Sequence, residues 1–124
     1  MIDIFSLKVE EIASRIKDAQ LTSVEVCEKY IERIKKFEKD VKAWAHFDKK
    51  LLLEKAEEAD EHRRSGKPIG PLHGIPVAVK DIVGTVDMPT ECGTVIRKGK
   101  AYSQNAEIID LLLAAGAIIM GKTA

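Results

Sequence analysis

The spacing of apolar residues predicts helices in the first half of the chain. Apolar residues recur every three or four positions within three segments, 9–16, 24–34 and 52–59. This spacing places the apolar side chains on one face of a helix. Between the second and third segments, Val41–Phe47 alternates in part and predicts a short extended segment. We expect the helices to pack on the chain's own core; a surface for a partner helix is the alternative.

The ends of these helices carry recognisable signals. Ser6 is a candidate N-cap of the first helix, and Thr22 with Glu25 forms a capping box in which each side chain accepts the other residue's free backbone N–H. The third helix is predicted to start after Asp48 and to stop at Gly66, a residue type that favours the left-handed position after a helix.

The pattern changes after a loop rich in proline and glycine. Residues 75–79 and 117–120 are continuously apolar and rich in β-branched side chains, as is typical of strands buried on both faces. A largely apolar helix, 106–115, is predicted between them, with Ser103 or Asn105 as its cap. Strand, helix and strand predict a parallel, right-handed unit.

Charge is distributed as unevenly as the apolar pattern. Charged side chains occupy 29 of the first 66 positions but only 11 of the last 58. The length of 124 residues amounts to one domain at most. Within it, the uneven charge indicates a helical layer at 1–66 and the start of a core sheet at 67–124. A buried strand at 117–120 with nothing after it would leave its edge open. We expect either a fragment of a larger domain or a sheet completed by another chain.

The overall composition excludes several classes of function. The formal net charge is zero, which argues against a basic footprint for nucleic acid or an anionic membrane. The longest apolar run, Leu111–Met120, is too short to span a bilayer. No leader pattern opens the chain, and Cys27 and Cys92 are expected to remain free thiols. We expect a cytoplasmic protein without direct nucleic-acid or membrane partners.

Lys80 is the candidate catalytic residue. It ends the first buried strand, shares a face with Pro76 and Ala78, which leave room around it, and precedes Asp81. Ligand sites of open α/β sheets gather at the carboxyl ends of strands. Lys80 would serve there as a general base if it loses its proton near neutral pH. The alternative, favoured by spacing alone, is that Lys80 and Asp81 mark the return of the strand to solvent.

Other catalytic patterns are absent from the sequence. His46, His62 and His73 are too far apart for a local metal motif, and neither cysteine has a CxxC partner. His73 is expected to make a structural hydrogen bond rather than to act as a base. No nucleophile elbow or phosphate-binding glycine motif occurs. We therefore expect no cofactor and no metal.

Three ordered blocks of the second half resemble the amidase signature family. They are Gly70–Asp81 (GPLHGIPVAVKD), Asp87–Thr94 (DMPTECGT) and Leu113–Thr123 (LAAGAIIMGKT). The likeness is strong from about residue 68 onward and looser before it. It implies an α/β fold in which the helical layer is followed by the first βαβ part of a mixed sheet, so that these residues form the N-terminal portion of an incomplete single domain.

The resemblance also implies a reaction. Family members hydrolyse carboxamide C–N bonds with a triad of serine, cis-serine and lysine, in which a neutral lysine accepts a proton through the bridging serine from the nucleophilic serine. The family's lysine matches Lys80. Asp81 matches as a structural residue, while Lys122 and Thr123 either line the same site or support it. Neither serine has a match among the 124 residues, so we expect the chain alone to be inactive.

Two alternatives remain open within and beyond this family. The residues Asp87–Glu91 resemble general amidases more than the glutaminase subunit of the aminoacyl-tRNA amidotransferase, which hydrolyses glutamine and passes ammonia to a partner subunit. That subunit is the nearest alternative. The other is a non-catalytic remnant that pairs its open sheet with a second chain. The substrate of the first interpretation is a small-molecule amide.

Overall fold

The computed structural model describes residues 2–124, and its elements confirm an α/β fold that begins with a helical layer. Within this range the chain forms four α-helices and three β-strands. In chain order they are α1 (Val9–Lys17), α2 (Ser23–Val41), β1 (Trp44–His46), α3 (Lys49–Arg64), β2 (Pro76–Lys80), α4 (Glu107–Ala114) and β3 (Ile118–Thr123). Single 3₁₀ turns lie at Ile4–Ser6 and Val95–Arg97.

The predicted caps of the second and third helices are confirmed. Thr22 Oγ1 accepts the N–H of Glu25 at 3.0 Å, and the Glu25 carboxylate accepts the N–H of Thr22 at 3.2 Å. Asp48 accepts the N–H of Leu51 at 3.1 Å and starts α3. Gly66, which follows α3, has a φ of +78°, the conformation expected of a glycine there.

The predicted caps of the first and fourth helices are wrong. Lys8, not Ser6, occupies the N-cap of α1, because the Ser6 hydroxyl instead donates to the carbonyl of Asp3 in the preceding 3₁₀ turn. Ala106 precedes α4 without a side-chain cap. Asn105 does not cap this helix, because its Oδ1 accepts the N–H of Val86 at 2.9 Å.

The sheet has the order β1–β3–β2. The parallel pairing of β2 with β3 was predicted; the antiparallel pairing of β1 with β3 was not. The expected open edge of the last strand is therefore wrong, because β1 covers it, with Trp44 opposite Thr123. Gly121 makes this close approach possible, since a Cβ there would lie 2.6 Å from the carbonyl oxygen of His46. On the other side of β3, strand β2 forms an edge of this sheet and its outer side is unpaired among residues 2–124.

Helices cover both faces of β3, which forms the centre of the core. Ile118 and Met120 pack against side chains of α2 and α3, namely Cys27, Leu52 and Ala56. Ile119 projects to the other face and packs with Val79, Met88 and Ile109 of α4. Strand β2 differs from the prediction of burial on both faces, because Ala78 and Lys80 are exposed on the face they share.

A buried carboxylate ties the helical layer to the start of β2. Asp60 of α3 is 2% exposed and accepts the N–H groups of Ser23 and Val24 at 2.7 and 3.0 Å. The hydroxyl of Ser23 in turn donates to the carbonyl of Gly74 at 2.7 Å. These contacts fix the first turn of α2 and, through Gly74, the point where the chain enters β2.

Two further expectations concern the membrane and the thiols. None of the helices within residues 2–124 combines the length and apolar character needed to cross a bilayer. Cys27 is a buried free thiol and Cys92 an exposed one. The prediction of two unpaired cysteines is therefore confirmed.

Candidate functional site

Lys80 lies where β2 ends and the chain turns away from the sheet. It pairs with Thr123 of β3, and its carbonyl accepts the N–H of Val83 at 3.0 Å. The N–H of the next residue, Asp81, donates to the carbonyl of Thr123 at 2.9 Å. Backbone hydrogen bonds of Lys80 and Asp81 therefore fix the position of the Lys80 backbone.

The Lys80 side chain projects from the exposed face of β2. By strand alternation it shares that face with Pro76 and Ala78, and both Ala78 and Lys80 are exposed. Within residues 2–124, no carboxylate oxygen lies within 4.0 Å of its Nζ. Its neighbour on β3 is the uncharged Thr123, so the Lys80 side chain has no ion-pair partner among the described residues.

Asp81 supports the turn rather than the exposed face. It is 5% exposed. Its Oδ1 accepts the N–H of Glu91 at 3.1 Å, and its carbonyl accepts the N–H of Cys92 at 2.9 Å. The interpretation of Asp81 as a structural residue agrees with these contacts.

Lys122 is buried behind the same strand ends. It pairs with Val79, so by alternation it points to the face opposite Lys80. It is 0% exposed, and its ammonium donates to the carbonyl of Pro89 at 3.2 Å and to Thr90 Oγ1. Burial lowers the pKa of Lys122, while the negative charges of Asp81 and Asp87 act in the opposite direction.

Sequence reasoning missed the burial of Lys122. A lysine at the end of an apolar run suggests a strand that returns to solvent, the same alternative that spacing favours for Lys80. The available signal was a lysine at the end of β2 and another one residue before the end of the parallel strand β3. In the observed register, Val79 pairs with Lys122 and Lys80 pairs with Thr123. The two lysines are therefore offset by one residue, and their side chains project to opposite faces.

Thr90 connects Lys122 to the long segment between β2 and α4. Thr90 is 0% exposed. Its N–H donates to the carbonyl of Lys100 at 2.9 Å, its carbonyl accepts from Arg97 Nε at 2.9 Å, and its Oγ1 accepts the N–H of Thr85 at 3.4 Å. Residues 81–106, which we call the arch, are therefore held together by internal hydrogen bonds and are attached to the end of β3 through Lys122.

Cys92 takes part in the same arch through its backbone. Cys92 and Gly93 have φ values of +55° and +71°, and the N–H of Thr94 donates to the carbonyl of Glu91 at 3.0 Å. The chain thereby reverses tightly and presents the Cys92 N–H to Asp81. The exposure of the thiol follows from this turn.

The histidines lie away from Lys80 or make structural contacts. His73 Nε2 donates to the carbonyl of Ala59 at 2.8 Å, which is a structural hydrogen bond of the kind expected from the sequence. His62 is 5.4 Å from it, ring to ring, beside an open cleft of about 480 Å³ near the starts of β2 and β3. His46 lies opposite Lys122 in the register of β1. Within residues 2–124, no group of three metal-ligating side chains comes together.

Comparisons of sequence and structure find similar proteins that are named amidases or amidotransferase subunits. A family model described as Amidase matches residues 25–124. The A subunit of glutamyl-tRNA(Gln) amidotransferase from Streptomyces coelicolor is 39% identical over 99% of this chain and 25% of its own length. Peptide amidase from Stenotrophomonas maltophilia has a TM-score of 0.89 and 29% identity, over 97% of this chain and 25% of that one.

A third similar protein has the same fold over almost the whole chain. The structure of a fatty acid amide hydrolase gives a TM-score of 0.89 and 28% identity, over 98% of this chain and 21% of that one. The chain spans about a quarter of the length of the curated relatives it matches. This share agrees with the expectation of a portion of a larger domain.

Proposed function

The chain belongs to the amidase signature family, and we propose that it supplies the catalytic lysine of an enzyme that hydrolyses carboxamide C–N bonds. The observation that supports this proposal is the placement of Lys80. Its backbone is held by hydrogen bonds, its side chain is exposed at the carboxyl end of β2, and no carboxylate lies within 4.0 Å of its Nζ among residues 2–124.

The proposed role follows from the chemistry of a lysine base. Neutral Lys80 accepts a proton from a bridging serine, which accepts one from the nucleophilic serine as the serine oxygen attacks the amide carbon. A carboxylate beside Lys80 would hold it in the charged form and oppose this step. Both serines belong to the part of the family domain beyond these residues, so the 124-residue chain alone should be inactive.

Ammonia release tests this function. The complete family domain that carries these residues should liberate ammonia from primary carboxamides, and the purified 124-residue chain should liberate none. A coupled ammonia assay over a panel of peptide amides, fatty acid amides and glutamine measures both. Turnover by the purified 124-residue chain would contradict the assignment of the nucleophile to another part of the domain.

A second candidate is the glutamine-hydrolysing subunit of an amidotransferase. The names of two similar curated relatives support it, since these are A subunits of glutamyl-tRNA(Gln) amidotransferase with 39% and 37% identity. The same panel separates the candidates. Preference for glutamine over peptide and fatty acid amides would favour the amidotransferase subunit, and the reverse preference a general amidase.

A non-catalytic role is the remaining candidate. Strand β2 forms one end of the β1–β3–β2 sheet, and its unpaired edge is suited to pairing with another chain. Sedimentation of the 124-residue chain tests this role. A well-folded monomer of 13.7 kDa would count against it, and a dimer together with an inactive complete domain would favour it. The cytoplasmic location stays a prediction.

A further inference from the structure

Lys122 is a buried lysine with an unusual set of partners. Its ammonium donates to two uncharged oxygens, those of Pro89 and of the Thr90 side chain. Within residues 2–124, no carboxylate oxygen lies within 4.0 Å of it. A buried charge is costly unless its hydrogen bonds are satisfied. An apolar side chain of similar length would fill the same space, so filling space alone does not account for a lysine here.

The two acceptors belong to one segment that ends beside Lys80. Immediately after Pro89 and Thr90, the N–H groups of Glu91 and Cys92 donate to the carboxylate and the carbonyl of Asp81. Asp81 directly follows Lys80. The segment Pro89–Cys92 is therefore attached at one end to β3, through Lys122, and at the other to the residue next to the proposed base.

Further contacts connect the ends of β2 and β3 to each other. Asp81 donates its N–H to the carbonyl of Thr123, which follows Lys122, and Val79 pairs with Lys122. A shift of the segment Pro89–Cys92 would therefore displace Asp81 and the backbone of Lys80. Lys122 itself projects to the opposite face from Lys80, so it has no route to a substrate held by Lys80.

We infer that Lys122 is a positioning residue, whose ammonium holds the segment Pro89–Cys92 against the end of β3 and thereby fixes the backbone from which Lys80 projects. The inference rests on the proposed function, in which Lys80 is the base. It assigns Lys122 no contact with the reacting atoms. Its effect on catalysis passes through Thr90, Glu91, Cys92 and Asp81.

Amide hydrogen exchange tests the structural part of the inference in the 124-residue chain. Lys122→Met keeps the side-chain length but removes the donors, so the Glu91 and Cys92 amides should exchange at least about tenfold faster, while amides within α2 keep their rates. Lys98→Met, at an exposed lysine of the same arch, should change neither. Unchanged exchange at Glu91 and Cys92 in Lys122→Met would overturn the inference.

The catalytic part is tested by kinetics of the complete domain. Lys122→Met should lower kcat about tenfold or more with KM unchanged, because a small displacement of a catalytic group lowers the rate without removing substrate contacts. Lys122→Arg, which restores a donor cation, should recover part of kcat. An unchanged kcat, or a loss confined to KM, would contradict the inference.

A second variant keeps the test decisive if Lys122→Met fails to fold. Thr90→Val retains Lys122 but removes one acceptor from it, and should accelerate exchange at Glu91 and Cys92 selectively. Slow exchange at both amides in Thr90→Val would contradict the inference. Failure of the proposed function is distinguished by Lys80→Ala: if that variant keeps turnover, Lys80 is not the base, whereas the exchange result for Lys122→Met is independent of it.

Discussion

Removal of the Asp60 carboxylate should destabilise the junction between the helical layer and β2. Asp60 is buried and accepts two backbone N–H groups at the first turn of α2. A hydrogen bond to a charged group contributes about 2 kcal/mol, so Asp60→Ala forfeits about 4 kcal/mol. Removal of the buried charge also relieves part of its desolvation cost, so the net loss is smaller than this sum. The free energy of unfolding should therefore fall by roughly 3 kcal/mol.

Urea unfolding followed by circular dichroism measures this loss. The midpoint should shift to lower urea concentration with an unchanged m-value, and the melting temperature should fall by about 12 °C, at roughly 4 °C per kcal/mol for a chain of this size. Asp60→Asn retains an acceptor oxygen and should lose about half as much. Glu61→Ala, at the adjacent exposed position of α3, is the matched control and should change stability by less than about 0.5 kcal/mol.

The result that would refute this reasoning is equality between Asp60→Ala and its control. If both variants unfold within about 0.5 kcal/mol of the unmodified chain, the two N–H groups of α2 find other partners. The helical layer would then not depend on Asp60. A changed m-value would indicate instead that the substitution altered the compactness of the native or the unfolded state, or that unfolding is no longer two-state.

Three further predictions concern the sheet and the buried thiol. Gly121→Ala should cost about 1–3 kcal/mol in urea unfolding, because its Cβ would meet the His46 carbonyl; an unchanged midpoint would show that β1 does not approach β3 so closely. Burial raises the pKa of Cys27 to about 12, so at pH 8 an alkylating reagent should modify Cys92 rapidly and Cys27 only after unfolding. Because an exposed thiol in the unfolded chain has its ordinary pKa of 9.0, the Cys27 contribution to stability is fully present below pH 9 and is lost between pH 9 and about 12. Cys27→Ala should flatten that part of the stability curve, and an equally steep curve in the variant would contradict the cause.

The sequence predicted those elements whose signals are local. Helical spacing and the capping pair Thr22–Glu25 act within a few residues, and the structure has these helices where they were expected. The parallel pair β2–β3 followed from two apolar runs with a helix between them. The family resemblance, confirmed by the comparisons, extended this interpretation to the fold of a larger domain.

The missed features depend on contacts between distant residues. Strand β1 lies within the extended segment predicted at Val41–Phe47, but its pairing with Lys122 and Thr123, far along the chain, was not predicted. Lys122 looks like a strand-end charge until the register with Val79 turns it inward. The arch that accepts its hydrogen bonds contains one short 3₁₀ turn and no α-helix or β-strand. The sequence therefore has no periodic pattern that predicts it.

The central claim, that Lys80 is the base of an amide hydrolase, is tested most directly by Lys80→Ala in the complete family domain. Because Lys80 is exposed, the variant should fold with unfolding free energy changed by less than about 0.5 kcal/mol, yet lose about 10²- to 10⁴-fold in kcat/KM for amide hydrolysis. Lys67→Ala, at an exposed lysine in the loop before β2, should keep full activity. Unchanged turnover in Lys80→Ala, in a variant that folds normally, would contradict the account.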